Sequence, residues 1–229
     1  MATQLSFDLP SKTALGREDF FVSPANALAV AMISATSWPG NKLVLSGPAA
    51  SGKTHLAHVW AAETGGRIVQ AAALRYEEVP ELSHTPVAVE DVPLIAADVE
   101  QQKTLFHLHN LVLAEGQALL MTGRTAPRLW HLPLADLQSR VEGAHHVALD
   151  APDDALLGAV LAKLFTDRQL NPGPDVIAYL VKHMDRSFET AAKVVAELDR
   201  IALDEKRDIT RSLAVRLLNT DTEQSATRD

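Results

Sequence analysis

The sequence contains no cysteine, which excludes disulfides and thiolate metal centres and agrees with a reducing compartment. No stretch approaches the ~18 uninterrupted apolar residues that a membrane span requires. The first residues lack the basic-then-apolar build of a signal peptide. The expected location is therefore cytoplasmic, with no membrane association. Positive charge is also in deficit: 21 Lys and Arg against 29 Asp and Glu give a net charge of −8. A broad nucleic-acid face is thus not expected, and direct DNA binding is not anticipated. What the chain does have is apolar content. Of its 229 residues 47% are hydrophobic, enough for one α/β domain with a small appendage.

The most informative stretch runs from Leu43 to Leu56. The apolar run Leu43-Val44-Leu45 leads into Gly47-Pro48-Ala49-Ala50-Ser51-Gly52-Lys53-Thr54, which fits G-x-x-x-x-G-K-[ST], and an alanine-rich helical pattern follows. Strand, loop and helix in that order make a phosphate-binding loop: the glycines let the backbone wrap an anion, so that N–H groups and a helix N-terminus point at the β-phosphate. Lys53 then reaches the β/γ-phosphates, and the Thr54 hydroxyl holds Mg²⁺. The bland alternative is a glycine-rich turn before an ordinary helix.

Along the rest of the chain, residues 1–16 read as a tail around Gln4-Leu5-Ser6-Phe7-Asp8-Leu9, closed by Pro10. Leu5, Phe7 and Leu9 alternate with polar residues, so as a strand they present one apolar face, which either packs on its own domain or docks in a partner's groove. Residues 17–150 form the α/β domain. Ser23-Pro24 predicts an N-cap and first-turn proline for a helix from Pro24 to about Thr36. A second helix runs from Lys53 to Gly65-Gly66, and Arg67 to Gln70 is a short strand. Residues 71–82 are a short helix or irregular. The strand from Pro86 to Val92 closes on Glu90-Asp91. Such acids are ordinarily solvated, but behind a phosphate loop one completes the Mg²⁺ shell and the other polarises the attacking water. Asp98 and Gln101 predict a capping box for a helix ending at Gly116. A fourth strand ends at the polar Thr122, which joins Glu90 and Asp91 as a candidate catalytic residue, with Thr54 and Glu90 as the Mg²⁺ donors. A fifth strand covers His146 to Leu149. Residues 151–219 carry only helical patterns, at 154–169, 174–184, 187–205 and 211–218, and 220–229 read as a disordered tail. His55 and His58 stand at i, i+3 spacing with no third ligand, and His145 and His146 point to opposite faces of a strand, so no histidine metal site is expected.

Taken together, these features resemble the AAA+ ATPases: a phosphate loop, an acidic strand end, a polar-tipped fourth strand, a Ser139-Arg140 pair before the fifth, and a helical lid. FFVSPANALAVA, GPAASGKTHLAH, TGRTAPRL, LQSRV and MDRSFETAAKVVAELDRIA narrow the resemblance to the DnaA family and its truncated Hda-like branch, from about Phe20 to Asn219. The fold implied is a five-stranded parallel sheet in an AAA+ phosphate-loop domain, followed by a small all-helical lid. The resemblance implies ADP or ATP with Mg²⁺ as cofactors and nucleotide contacts at Phe21, Val22 and from Gly47 through His55. It also implies that Arg140 is a finger acting on a neighbouring subunit's site. DnaA itself carries a helix-turn-helix domain after the lid. The sequence here ends at the lid, so the expectation is a regulator of DnaA rather than an initiator. Gln4-Leu5-Ser6-Phe7-Asp8-Leu9 matches the branch's sliding-clamp peptide. Gln4, Leu5, Phe7 and Leu9 would then bind the beta subunit of DNA polymerase III, and the protein would promote hydrolysis of DnaA-bound ATP. A homodimer is possible.

Three positions depart from the family pattern, all bearing on hydrolysis. Glu90 stands where an aspartate is usual, Arg124 where relatives often have an aspartate, and Glu189 where the lid arginine senses the γ-phosphate. Arg186, three residues earlier, is a candidate replacement. Weak intrinsic ATPase activity is expected. Two other readings remain open: a motor or helicase loader driven by its own hydrolysis, and a nucleotide-stabilised clamp adaptor without finger activity.

Overall fold

A computed structural model describes residues 21–226, with side chains through residue 219. Gln4, Leu5, Phe7 and Leu9 lie outside the described residues. Five strands form one sheet: β1 (Lys42–Ser46), β2 (Arg67–Gln70), β3 (Val87–Glu90), β4 (Leu119–Gly123) and β5 (His145–Ala148), in the order β2-β3-β4-β1-β5. Every pairing is parallel. Parallel neighbours need crossovers, and the helices that make them cover both faces of the sheet.

Side chains alternate along each strand, and the alternation sorts them between two cores. Val44, Val87, Val89, Leu119 and Met121 pack with Leu105, Leu108 and Val112 of α4 (Val99–Ala114) and Leu137 and Val141 of α5 (Ala135–Glu142). Leu43, Leu45, Ala88, Leu120 and Val147 pack instead with Ala29 and Ile33 of α1 (Ala27–Ile33) and Leu56, Ala57 and Trp60 of α2 (Lys53–Thr64). Each fully buried aliphatic side chain contributes about 1.5–3 kcal/mol. The short α3 (Val79–Leu82) lies in the segment expected to be irregular, between two 3₁₀ turns and β3.

Two helix ends differ from expectation. α1 begins at Ala27 rather than Pro24. Asn26 reaches backward, its Oδ1 accepting from Ser23 N at 2.8 Å and its Nδ2 donating to Phe21 O at 2.9 Å, which fixes residues 23–26 as a turn. α1 stops at Ile33, where the Trp38 indole N–H donates to the Met32 carbonyl at 2.7 Å. At α4 the capping box is half made: Asp98 accepts from Gln101 N, but the Gln101 side chain donates to the Ala71 and Leu74 carbonyls, tying α4 to the loop after β2.

The C-terminal part is helical, as expected: α6 (Asp154–Asp167), α7 (Pro174–His183), α8 (Phe188–Glu205) and α9 (Arg211–Ala226) surround a separate core that includes Leu161, Phe165, Leu180, Val195 and Leu213. Asp153 caps α6 by accepting from Leu156 N at 2.8 Å, and Ser187 caps α8 by accepting from Thr190 N at 3.0 Å. α9 runs to Ala226, into the polar stretch 220–229 that the sequence analysis reads as a tail. Nucleation fixes three residues for one hydrogen bond, whereas each residue added to an existing helix brings its own bond. Among the described residues no helix is long and apolar enough to cross a membrane.

Candidate nucleotide-binding site

The loop between β1 and α2 sits at the carboxyl edge of the sheet, where strand order reverses and ligands of open α/β sheets bind. Its first residue is wedged in place: Gly47 N donates to Gly123 O at 3.2 Å, and Leu149 N to Ser46 O at 2.7 Å. A Cβ on Gly47 would stand 2.6 Å from the Leu149 carbonyl and 2.7 Å from Ser51 Oγ, so only glycine fits. Ala50 (φ 53°) and Gly52 (φ 97°) take the left-handed conformation, which for a residue with a Cβ costs roughly 1–2 kcal/mol.

Lys53 is buried, and its ammonium donates to the carbonyls of Gly47 at 2.8 Å and Pro48 at 2.7 Å. Burial pulls its pKa below the ordinary lysine value. Asp91 and Glu90 oppose that pull, and Arg124 adds to it. Thr54 and His55 follow in the first turn of α2, with Thr54 exposed.

Glu90 ends β3 at 3% exposure. Its Oε2 accepts from Gln70 Nε2 at 2.9 Å, while Oε1 has no partner, and Ser51 Oγ in the loop is likewise buried without one. An unpaired buried polar atom costs about 1–3 kcal/mol, so both atoms are poised for something the protein does not supply. That fits a divalent cation and a polyphosphate: Mg²⁺ takes one or two protein oxygens and fills its octahedron with phosphate and water, and Thr54 and Glu90 are the available donors. When bound, Mg²⁺ would neutralise phosphate charge. Asp91 is left-handed (φ 54°), and its N–H donates to the buried Thr122 hydroxyl at 3.0 Å. Thr122 thus holds the turn that presents Asp91.

The lid closes one side. Phe188 N donates to Ala50 O at 3.3 Å, and the Phe188 ring comes within 3.1 Å of where a Gly52 Cβ would stand. Glu189 follows, paired with Lys193 at 2.5 Å. The Lys193 hydrogen bond and charge, with a smaller contribution from Arg124, hold its carboxyl below the usual range. Arg186 is engaged elsewhere: its guanidinium pairs with Asp154 at 2.5 Å and donates to Pro152 O at 3.3 Å, at the junction of sheet domain and lid. Phe21 and Val22 are exposed, with the Phe21 carbonyl pinned by Asn26.

Arg140 stands apart, exposed in the last turn of α5. Its carbonyl accepts from Lys42 Nζ at 3.0 Å, and its guanidinium makes no hydrogen bond or ion pair among the described residues. The structure therefore gathers Gly47 to Thr54, Glu90, Asp91 and Thr122 around one edge, with Glu189 on its rim, and leaves Arg140 outside. Two contributors were not foreseen. Gln70 meets Glu90 only through the β2–β3 register, which the sequence does not state. Phe188 has no signature beyond its place after the α8 cap.

No protein-family model matches the sequence. Among solved structures, domain III of the replication initiation protein DnaA from Thermotoga maritima is similar to 93% of this chain over 98% of its own, with 18% identity and a TM-score of 0.80. AMPPCP-bound DnaA from Aquifex aeolicus is similar over 80% of this chain and 64% of its own, with 18% identity and a TM-score of 0.66. A RuvB mutant from Thermotoga maritima follows at 15% identity, 78% and 61% coverage, and a TM-score of 0.61. The chain has the DnaA-type AAA+ fold, a five-stranded parallel α/β domain with helices on both faces.

Proposed function

We propose that this protein binds ADP or ATP with Mg²⁺ in the loop from Gly47 to Thr54 and acts as a negative regulator of replication initiation, stimulating hydrolysis of ATP bound to DnaA. The observation that carries the regulatory half is Arg140. Arg140, in the position that resembles the family's finger, is exposed and its side chain has no hydrogen bond or ion pair among the described residues. A guanidinium free of its own chain is available to a phosphate in a neighbour's site, where it stabilises charge developing on the transferring phosphoryl group. The bound nucleotide here shapes the subunit surface through the loop and the lid residue Phe188. Gln4, Leu5, Phe7 and Leu9 tether the protein to the DNA polymerase III sliding clamp, with Gln4 hydrogen-bonding and the three apolar side chains as anchors. The AMPPCP in the Aquifex structure supports the choice of nucleotide. Glu90 and Glu189, carboxylates near where phosphate would lie, favour slow turnover by the protein alone.

The test is the conversion of DnaA-bound ATP to ADP with DNA-loaded clamp, with and without this protein. Acceleration lost with Arg140→Ala, and lost separately with Gln4→Ala, is the expected result. Acceleration that survives Arg140→Ala would make the protein a clamp adaptor. Robust ATPase activity by the protein alone, abolished by Lys53→Ala, would make it a motor or loader.

A further inference from the structure

Arg140 lies in the last turn of α5, where a helix leaves carbonyls without partners of its own. The Ala144 N–H, which would continue the ladder to the Arg140 carbonyl, donates instead to Val141 O at 3.2 Å. The Arg140 carbonyl takes its donor from the start of β1: Lys42 Nζ, 98 positions away in the chain, reaches it at 3.0 Å. Lys42 is half-buried and makes no ion pair among the described residues. Burial, and then the charge of Arg140, hold its pKa below the ordinary lysine value, so the two cations stand close enough to repel. The rest of α5 is anchored as well. Leu137 and Val141 are fully buried, and the Gln138 side chain accepts from Leu132 N at 2.9 Å and donates to Pro127 O at 3.0 Å. The helix is thus fixed by two aliphatic side chains on its core face, by Gln138 toward the segment after β4, and by Lys42 at its end. The guanidinium of Arg140 is what this anchored turn presents to the outside.

We propose that Lys42 is the positioning residue of Arg140: its ammonium caps the last turn of α5 through the Arg140 carbonyl, and its charge turns the guanidinium away from its own chain. A cation suits the place twice over, because a lysine at a helix C-terminus both satisfies an orphan carbonyl and meets the negative end of the dipole. Lys42 acts only through Arg140. A group that must reach a phosphate in a neighbouring subunit needs its direction set by its own subunit before the two meet, and loss of that direction is expensive in rate. The inference rests on the reading of Arg140 as the finger given above.

The test follows conversion of DnaA-bound ATP to ADP, with DNA-loaded clamp, as the concentration of the full chain is raised. That titration separates the maximal acceleration from the half-saturating concentration. The proteins compared are wild type, Lys42→Met, Lys42→Arg, Arg140→Ala and the Lys42→Met/Arg140→Ala pair, each first shown to melt as wild type does, with Lys42→Gln replacing Lys42→Met should the latter not fold. Lys42→Met should lower the maximal acceleration about tenfold at an unchanged half-saturating concentration. Lys42→Arg should restore most of it, and Lys42→Met should cost nothing further once Arg140 is gone. Wild-type acceleration in Lys42→Met, beside its loss in Arg140→Ala, overturns this inference and leaves the finger reading standing. A change in half-saturating concentration alone makes Lys42 a docking contact and overturns it too, as does a Lys42→Arg protein no faster than Lys42→Met. Acceleration that is absent in wild type, or indifferent to Arg140→Ala, overturns the finger reading and this inference with it.

Discussion

His109 lies on α4 at 2% exposure, its Nδ1 paired with Asn110 Oδ1 at 3.2 Å and its Nε2 unpartnered. Burial, reinforced by the Lys42 and Arg140 charges, lowers its pKa from 6.5 to about 4. The unfolded chain therefore takes up this proton before the folded one does. The stability tied to His109 is fully present above pH ~6.5, falls as pH drops, and is gone near pH ~4, a loss of about 2 kcal/mol by pH ~5. Urea unfolding at pH ~7 and ~5 should show His109→Leu losing that much less than wild type, and equal losses in the two proteins would remove His109 as the cause. Gly47 makes a second residue-scale case. A Cβ there meets the Leu149 carbonyl, which is backbone and cannot rotate away, so Gly47→Ala should lower stability by about 2 kcal/mol or more. A thermal melt checks it.

At the scale of elements, the base and the lid meet through α8. Phe188 is half-buried against Gly52, and its N–H reaches the Ala50 carbonyl, so the first turn of α8 rests on the phosphate loop. Arg186 with Asp154 forms an exposed second tie, and exposed ion pairs contribute at most about 1 kcal/mol. Phe188→Ala should therefore open the junction while leaving the lid's own core intact. Limited proteolysis should cut faster between the sheet domain and α6, with helical circular dichroism unchanged. Arg186→Ala should change little. The capping boxes teach a related lesson. At Asp98 the local pattern predicted a reciprocal cap, yet Gln101 found better acceptors on Ala71 and Leu74, carbonyls that no local pattern can see.

For the whole molecule, a nucleotide bound as proposed, between the loop after β1, the end of β3 and the lid, would bind only the folded chain. Saturation at ~100 times the dissociation constant should raise stability by about 2.7 kcal/mol. A higher melting temperature with ADP and Mg²⁺, absent in Lys53→Ala, is expected; an unmoved wild-type melt would argue against the site.

The sequence by itself carried the fold, because that information is local and periodic. Short apolar runs marked the strands, the G-x-x-x-x-G-K-[ST] spacing marked the turn from β1 to α2, and the helical patterns at 154–169 and 187–205 marked two helices that the structure retains. It also marked Arg124 and Glu189 as unusual without relating them. The rest depended on contacts between distant segments. The 3–4 register of Val89 with Met121 sets Glu90 near Thr122, the 2–3 register gives Glu90 its partner Gln70, and the packing of α8 on the loop brings Glu189 to the rim of the site. Such pairings join residues 20 to 138 positions apart, beyond the reach of periodicity or capping. Only the folded sheet decides which carboxylate is buried and which hydroxyl is spent.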